Sequence, residues 1–117
     1  MSASTNSVHP RFPLASVVML RESRTGAAVL AQLRNISLSG CYLETPRAVP
    51  ANGRVQVMLQ TSHHRAHIWG VVRRRDASGI GIQFTHGATV EDWKRLQSLI
   101  QDLETSAPAA DAATWVP

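Results

Sequence analysis

Apolar and polar residues alternate along most of this chain, and near its end the repeat lengthens from two to three or four. Val17-Val18-Met19-Leu20 opens a first strand that continues to about Glu22. Ser23-Arg24-Thr25-Gly26 is a turn with its glycine last, and Ala27 to Leu33 is a second strand, so the pair forms a hairpin. Cys41-Tyr42-Leu43-Glu44 is a short third strand, stopped by Thr45-Pro46. The loop Pro46 to Gly53 leads into Arg54–Gln60, where Val55, Val57 and Leu59 share one face. Thr61 to Arg65 is a turn. Ala66 to Arg74 is the fifth strand, Asp76-Ala77-Ser78-Gly79 a tight turn, and Ile80, Ile82 and Phe84 alternate in the sixth.

The period changes after residue 88. Thr89-Val90-Glu91-Asp92 is a capping box, in which Thr89 accepts from the amide three residues on and Asp92 reaches back. Trp93, Leu96, Ile100 and Leu103 fall at spacings of three and four, a single apolar helical stripe. The helix is predicted over Val90 to about Glu104. Residues 106–117 have no period and two prolines, and read as a flexible tail; residues 1–8 are small and polar, and read as a disordered lead-in. The folded domain is thus expected over residues 9–105. Six short strands separated by turns, followed by one amphipathic helix, predict a mainly β fold: a small antiparallel barrel whose closure hides the strand edges.

Composition narrows the class. The 117 residues suffice for one small domain, and the 44% apolar fraction suits a folded core. A net charge of +4 is too mild to choose a partner. No apolar run approaches the roughly 20 residues of a membrane helix, and the first residues lack the pattern of a signal peptide. A single cysteine permits no intrachain disulfide, which points to the cytoplasm. Stacking platforms for single-stranded nucleic acid need exposed aromatics among basic residues, and Phe, Trp and Tyr total six here, so no DNA partner is expected.

The chemistry centres on Asn35-Ile36-Ser37-Leu38-Ser39-Gly40. Asn and Ser bend a chain by bonding to nearby backbone, and Gly supplies positive φ, so a polar turn between two strands is the plain reading. Arg11 stands 24 positions upstream in His9-Pro10-Arg11-Phe12-Pro13, an extended segment stiffened by two prolines. Elsewhere the sequence offers little. His63-His64-x-x-His67 lacks an adjacent acidic or thiol ligand, and on a strand only His63 and His67 share a face. Cys41 reads as an inert buried thiol. No nucleophile–base spacing, carboxylate pair or phosphate loop is present, so no enzyme is expected. Trp93 is expected to pack on the barrel; Trp69 is left open between core, exposed strand and interface, and Trp115 between a dangling tail residue and a partner anchor.

An arginine at a strand entrance followed by Asn-x-Ser-x-x-Gly after two strands resembles the PilZ domain family, which binds the bacterial second messenger cyclic di-GMP. Softer features extend the likeness from Arg11 to about Leu103: Arg54-Val55-Gln56-Val57 after a Pro-and-Gly loop, Gly70-Val71-Val72-Arg73, and Gly79-Ile80-Gly81-Ile82-Gln83-Phe84. The resemblance implies a six-stranded barrel with a C-terminal helix. It also implies that Arg11 contacts a guanine or phosphate, that Asn35 reads a base edge, that the Ser37 hydroxyl donates to phosphate or base, and that Gly40 keeps a Cβ away from the ligand. Arg74 shares strand parity with Ile68 and Val72, on the face away from Arg73 and Arg75, and by resemblance lies against a guanine. The family pattern is Arg-x-x-x-Arg; Arg11 fits its second place, and Ser7 stands at its first. Two functions follow: a cyclic di-GMP receptor that signals through a ligand-ordered N-terminal arm and protein contacts, or a degenerate adaptor that no longer binds the nucleotide and acts through a protein partner.

Overall fold

The computed structural model of the chain describes residues 9–45 and 49–115. Its strands are β1 (Phe12–Glu22), β2 (Ala28–Ile36), β3 (Gly40–Glu44), β4 (Arg54–Gln60), β5 (Arg65–Arg75) and β6 (Gly79–Gly87), followed by the helix α1 (Val90–Trp115). The strands close into an antiparallel barrel in the order β1-β2-β3-β6-β5-β4. The alternation read from the sequence fills the interior. Val18, Leu20, Leu33, Ile36, Leu43, Val55, Val57, Ile68 and Val72 are each at most 1% exposed. The helix lays Leu96, Leu99 and Ile100 against this core, with Trp93 and Leu103 half-buried beside them.

The helix start is tied to the sheet differently from a simple capping box. The Asp92 amide donates to Thr89 Oγ1 at 3.1 Å, as expected. The Asp92 carboxylate, however, accepts from the Thr89 hydroxyl at 2.9 Å and from the His67 amide of β5 at 3.0 Å. One side chain thus caps the helix and holds it to the barrel.

Three boundaries differ from the sequence reading. β1 begins at Phe12, five residues before Val17, and takes Pro13 into the strand opposite Asn35, beside a bulge. β2 runs on to Ile36, so Asn35 is a strand residue and the turn is only Ser37-Leu38-Ser39. The helix extends to Trp115, past the boundary expected at Glu104, and much of the segment read as a flexible tail is helical. Alanines at 107, 109, 110, 112 and 113 favour helix without carrying a periodic signal, and Pro108, read from sequence as a breaker, lies inside the helical segment. The end of the apolar stripe was therefore not the end of the helix. The expected lead-in, residues 1–8, with Ser7 in it, and the last two residues of the chain lie outside the described residues.

Candidate functional site

Pairing of β1 with β2 brings the two sequence motifs together. Phe12 lies opposite Ile36 and Pro13 opposite Asn35, so Arg11 emerges beside the end of β2. Its Nη1 donates to Asn35 Oδ1 at 2.8 Å. Arg11 is exposed and Asn35 half-exposed, so both polar groups face solvent.

The turn beyond Asn35 is built by its serines. The Ser37 amide donates to the Gly40 carbonyl at 2.8 Å, and the Ser39 amide to Ser37 Oγ at 3.1 Å. Ser37 is fully buried, with its hydroxyl 3.4 Å from the Gly40 carbonyl and 3.1 Å from the Ser39 hydroxyl. The Phe84 amide donates to the Ser39 carbonyl at 2.8 Å and fixes the turn to β6. In this geometry the Ser37 hydroxyl serves the turn. Gly40 has no positive φ, which is confined to Gly26 and Asn52 among the described residues. A Cβ at Gly40 would instead collide with the Ile82 carbonyl of β6. The glycine is required by the close approach of two strands, and the conformational reason given for it from sequence is corrected.

Register carries the site across the outer face. Asn35 of β2 lies opposite Tyr42 of β3, Tyr42 opposite Gly81 of β6, and Gly81 opposite Arg74 of β5. This single row joins Arg11, Asn35 and Arg74, three of the residues singled out in sequence, with Ser37 and Gly40 forming the turn at its side. Tyr42 and Gly81 also belong to it. No sequence pattern links them to Asn35, because only the pairing register aligns them with it.

The arginine cluster is arranged differently from strand parity. The β5–β6 register shifts between Val72 and Arg74. The bulge cancels the alternation, so Arg73 and Arg74 both lie on the outer face: Arg73 Nε donates to Gln83 Oε1 at 2.7 Å, and Arg74 arches over Gly81. Arg75 donates to the Val49 carbonyl at 3.2 Å. The expectation that Arg74 faces away from Arg73 is therefore wrong, and Arg74 is exposed. Arg74 donates no hydrogen bond among the described residues.

Tyr42 and Asp76 set the charge beside Arg74. The Tyr42 hydroxyl donates to Asp76 Oδ1 at 2.8 Å, and the same carboxylate oxygen accepts from the Ser78 and Gly79 amides at 2.8 and 2.9 Å. The Tyr42 bond and these two amides, helped by Arg74, hold the Asp76 carboxyl below the usual carboxylate range. Its bond to Asp76 raises the Tyr42 phenol above its ordinary value. Beneath the row, burial pushes the Cys41 thiol up to about 12, with Arg11 pulling the other way, so the thiol is protonated at neutral pH.

The histidines go to separate partners. His64 Nε2 lies 2.9 Å from Asp102 of the helix, and His67 Nε2 lies 2.7 Å from Gln56 Oε1. Among the described residues no group of three His, Cys, Asp or Glu side chains is placed to hold a metal ion. Trp69 stacks between His67 and His86 on the outer face, at centroid distances of 6.4 and 6.1 Å.

Comparison with known proteins agrees with this architecture. The model of the PilZ domain family matches residues 7–102. No curated protein matches the chain. Among solved structures, the PilZ domain of CeSA from a cellulose-synthesizing bacterium superposes with a TM-score of 0.67 at 13% identity, covering 81% of this chain and 98% of that one. The K. pneumonia MrkH–c-di-GMP complex gives 0.67 at 22% identity, covering 86% of this chain and 52% of that one. The PilZ domain with c-di-GMP of YcgR from Escherichia coli gives 0.61 at 16% identity, covering 88% and 95%. The chain therefore spans about half the length of MrkH. At these identities the likeness is one of fold.

Proposed function

The chain belongs to the PilZ domain family of non-catalytic cyclic di-GMP receptor modules, and from that premise we propose that it binds cyclic di-GMP on the outer face that carries Arg11, Asn35 and Arg74. The observation that carries this reading is the 2.8 Å bond from Arg11 to Asn35, which sets an N-terminal guanidinium directly on the Asn-x-Ser-x-x-Gly hexad. Each of these two groups is the other's hydrogen-bond partner. Binding exchanges that internal bond for ligand bonds: the guanidinium clamps a phosphate or the O6 and N7 edge of guanine, and the Asn35 amide reads a base edge. Ser37 and Gly40 hold the turn that aims Asn35. The Ser37 hydroxyl, buried against the Gly40 carbonyl and Ser39, serves the site through this turn. Arg74 offers its planar guanidinium to a guanine face. Because Arg11 precedes the first residue of β1, its transfer to the ligand fixes the arm on the barrel, and a downstream protein reads that change. The reducing cytoplasm is the compartment this reading assumes. No helix among the described residues is long and apolar enough to cross a membrane.

One observation favours the alternative of a non-binding adaptor: Ser7 stands where the family pattern has its first arginine. The test is calorimetric titration of cyclic di-GMP into the wild type, Arg11→Ala and Asn35→Ala. Loss of a bidentate base contact is worth about 1–3 kcal/mol, so each substitution is expected to weaken binding roughly 5- to 150-fold without lowering thermal stability much. Because the two side chains touch, the double variant loses less than the sum. Unchanged affinity in both single variants removes the arm and the hexad from the site and leaves the adaptor reading.

A further inference from the structure

Six of the seven glycines have a geometric reason to be glycine. Gly26 has φ of 76°, and at Gly40, Gly53, Gly70, Gly79 and Gly87 a Cβ would come within 3.0 Å or less of backbone atoms. Gly81 has none. Its φ is not positive, and a Cβ there would meet only Arg74 Cβ at 3.6 Å and Arg74 Nε at 3.7 Å, which are ordinary contacts. A glycine inside a strand sacrifices both side-chain packing and chain entropy, so an unforced one calls for another reason.

Its neighbours supply that reason. Gly81 lies between Tyr42 and Arg74 in the row across β3, β6 and β5. Two strand spacings separate those residues, roughly 9–10 Å. Without a side chain between them, the Arg74 side chain settles over the Gly81 backbone. On one side the Tyr42 ring is pinned by its bond to Asp76, whose carboxylate is itself fixed by the Ser78 and Gly79 amides.

We infer that Gly81, together with the Tyr42–Asp76 pair, positions the Arg74 guanidinium low on the sheet as a stacking platform for one purine base of the ligand. Gly81 and Tyr42 are positioning residues, and the base touches Arg74. This rests on the ligand reading of the same face, which already sets Arg74 against a guanine, and adds the residues that hold Arg74 in place. A β-branched residue at 81 would suit the strand yet lift Arg74 from the sheet.

The test uses cyclic di-GMP with the wild type, Gly81→Ala, Gly81→Val, Tyr42→Phe and Arg11→Ala. Stacking contributions of the usual size lead us to expect Gly81→Val to weaken binding about tenfold or more with no fall in melting temperature. Gly81→Ala, whose Cβ fits, is expected to restore most of the affinity. Tyr42→Phe, which keeps the ring but releases Asp76, is expected to fall between. In the wild type the Arg74 Nε–Hε resonance should move upfield on saturation, as a base ring stacked on it requires; a purely structural role for Gly81 does not produce that shift. Wild-type affinity in Gly81→Val, or an unmoved Arg74 resonance, overturns the platform while loss of binding in Arg11→Ala leaves the ligand reading standing. Absence of binding to the wild type overturns both.

Discussion

Replacing Asp92 by alanine removes the tie between the helix and the barrel. Its carboxylate accepts from the His67 amide at 3.0 Å and from the Thr89 hydroxyl at 2.9 Å, and its side chain is only 12% exposed. A hydrogen bond to a charged group contributes about 1.5–3 kcal/mol, and the His67 amide would be left unpaired at a half-buried position. The Arg95 contact at 3.5 Å adds little, about 0–1 kcal/mol, because Arg95 is exposed. The expected loss is therefore about 2–4 kcal/mol, a large share of the roughly 5–15 kcal/mol that holds a small domain folded. Urea unfolding followed by tryptophan fluorescence reads it as a lower midpoint at unchanged slope. The charge gives a second signature. Burial alone would raise the Asp92 carboxyl, but the His67 amide, the Thr89 hydroxyl and Arg95 outweigh it and hold the pKa below the ordinary value. A lowered folded pKa means stabilisation that is complete above the unfolded value, about 3.9, and is lost as the pH falls through the folded one. The gap between wild type and Asp92→Asn should accordingly be open at pH 7 and narrow on acidification. A loss below about 0.5 kcal/mol at pH 7, the range of surface substitutions, or a gap independent of pH, would mean that the Asp92 carboxylate does not tie the helix to the barrel.

Two further expectations follow from the fold and the arm. Ile100→Ala should destabilise the domain by about 2–5 kcal/mol in the same unfolding assay, since Ile100 is 6% exposed against the core; a change below about 0.5 kcal/mol would mean the stripe does not pack on the barrel. Ser7→Arg should tighten cyclic di-GMP binding at least about tenfold by calorimetry, by adding a second guanidinium four residues before Arg11; no gain there, with no loss in Arg11→Ala, would favour the adaptor reading.

The barrel was legible because each strand states its period. Val55, Val57 and Leu59 alternate as cleanly in space as in sequence, and the change to the Leu96–Ile100 spacing marks the helix. Arg11 and Asn35 were singled out as separate ligand contacts; that they meet each other comes from the pairing of Phe12 with Ile36, since β1 and β2 are longer than their apolar runs. What could not be read is whatever depends on register. The bulge after Val72 puts Arg74 beside Arg73, and no alternation rule applied to one strand can foresee a slip against its neighbour. Tyr42 meets Asp76 across 34 residues for the same reason. The positive φ read for Gly40 does not occur, and the clash with the Ile82 carbonyl that requires a glycine there exists only once β3 is laid on β6. The continuation of the helix to Trp115 was missed because its alanines mark no face and Pro108 reads as a breaker.

The central claim is that the Arg11–Asn35 face receives cyclic di-GMP. Its most direct test is an isothermal titration of the folded wild-type chain with the pure dinucleotide at low salt, with Arg11→Ala as the control. The wild type is expected to give a saturable heat that is strongly reduced in Arg11→Ala. A folded wild type that gives no saturable heat, or binding that Arg11→Ala leaves intact, contradicts it.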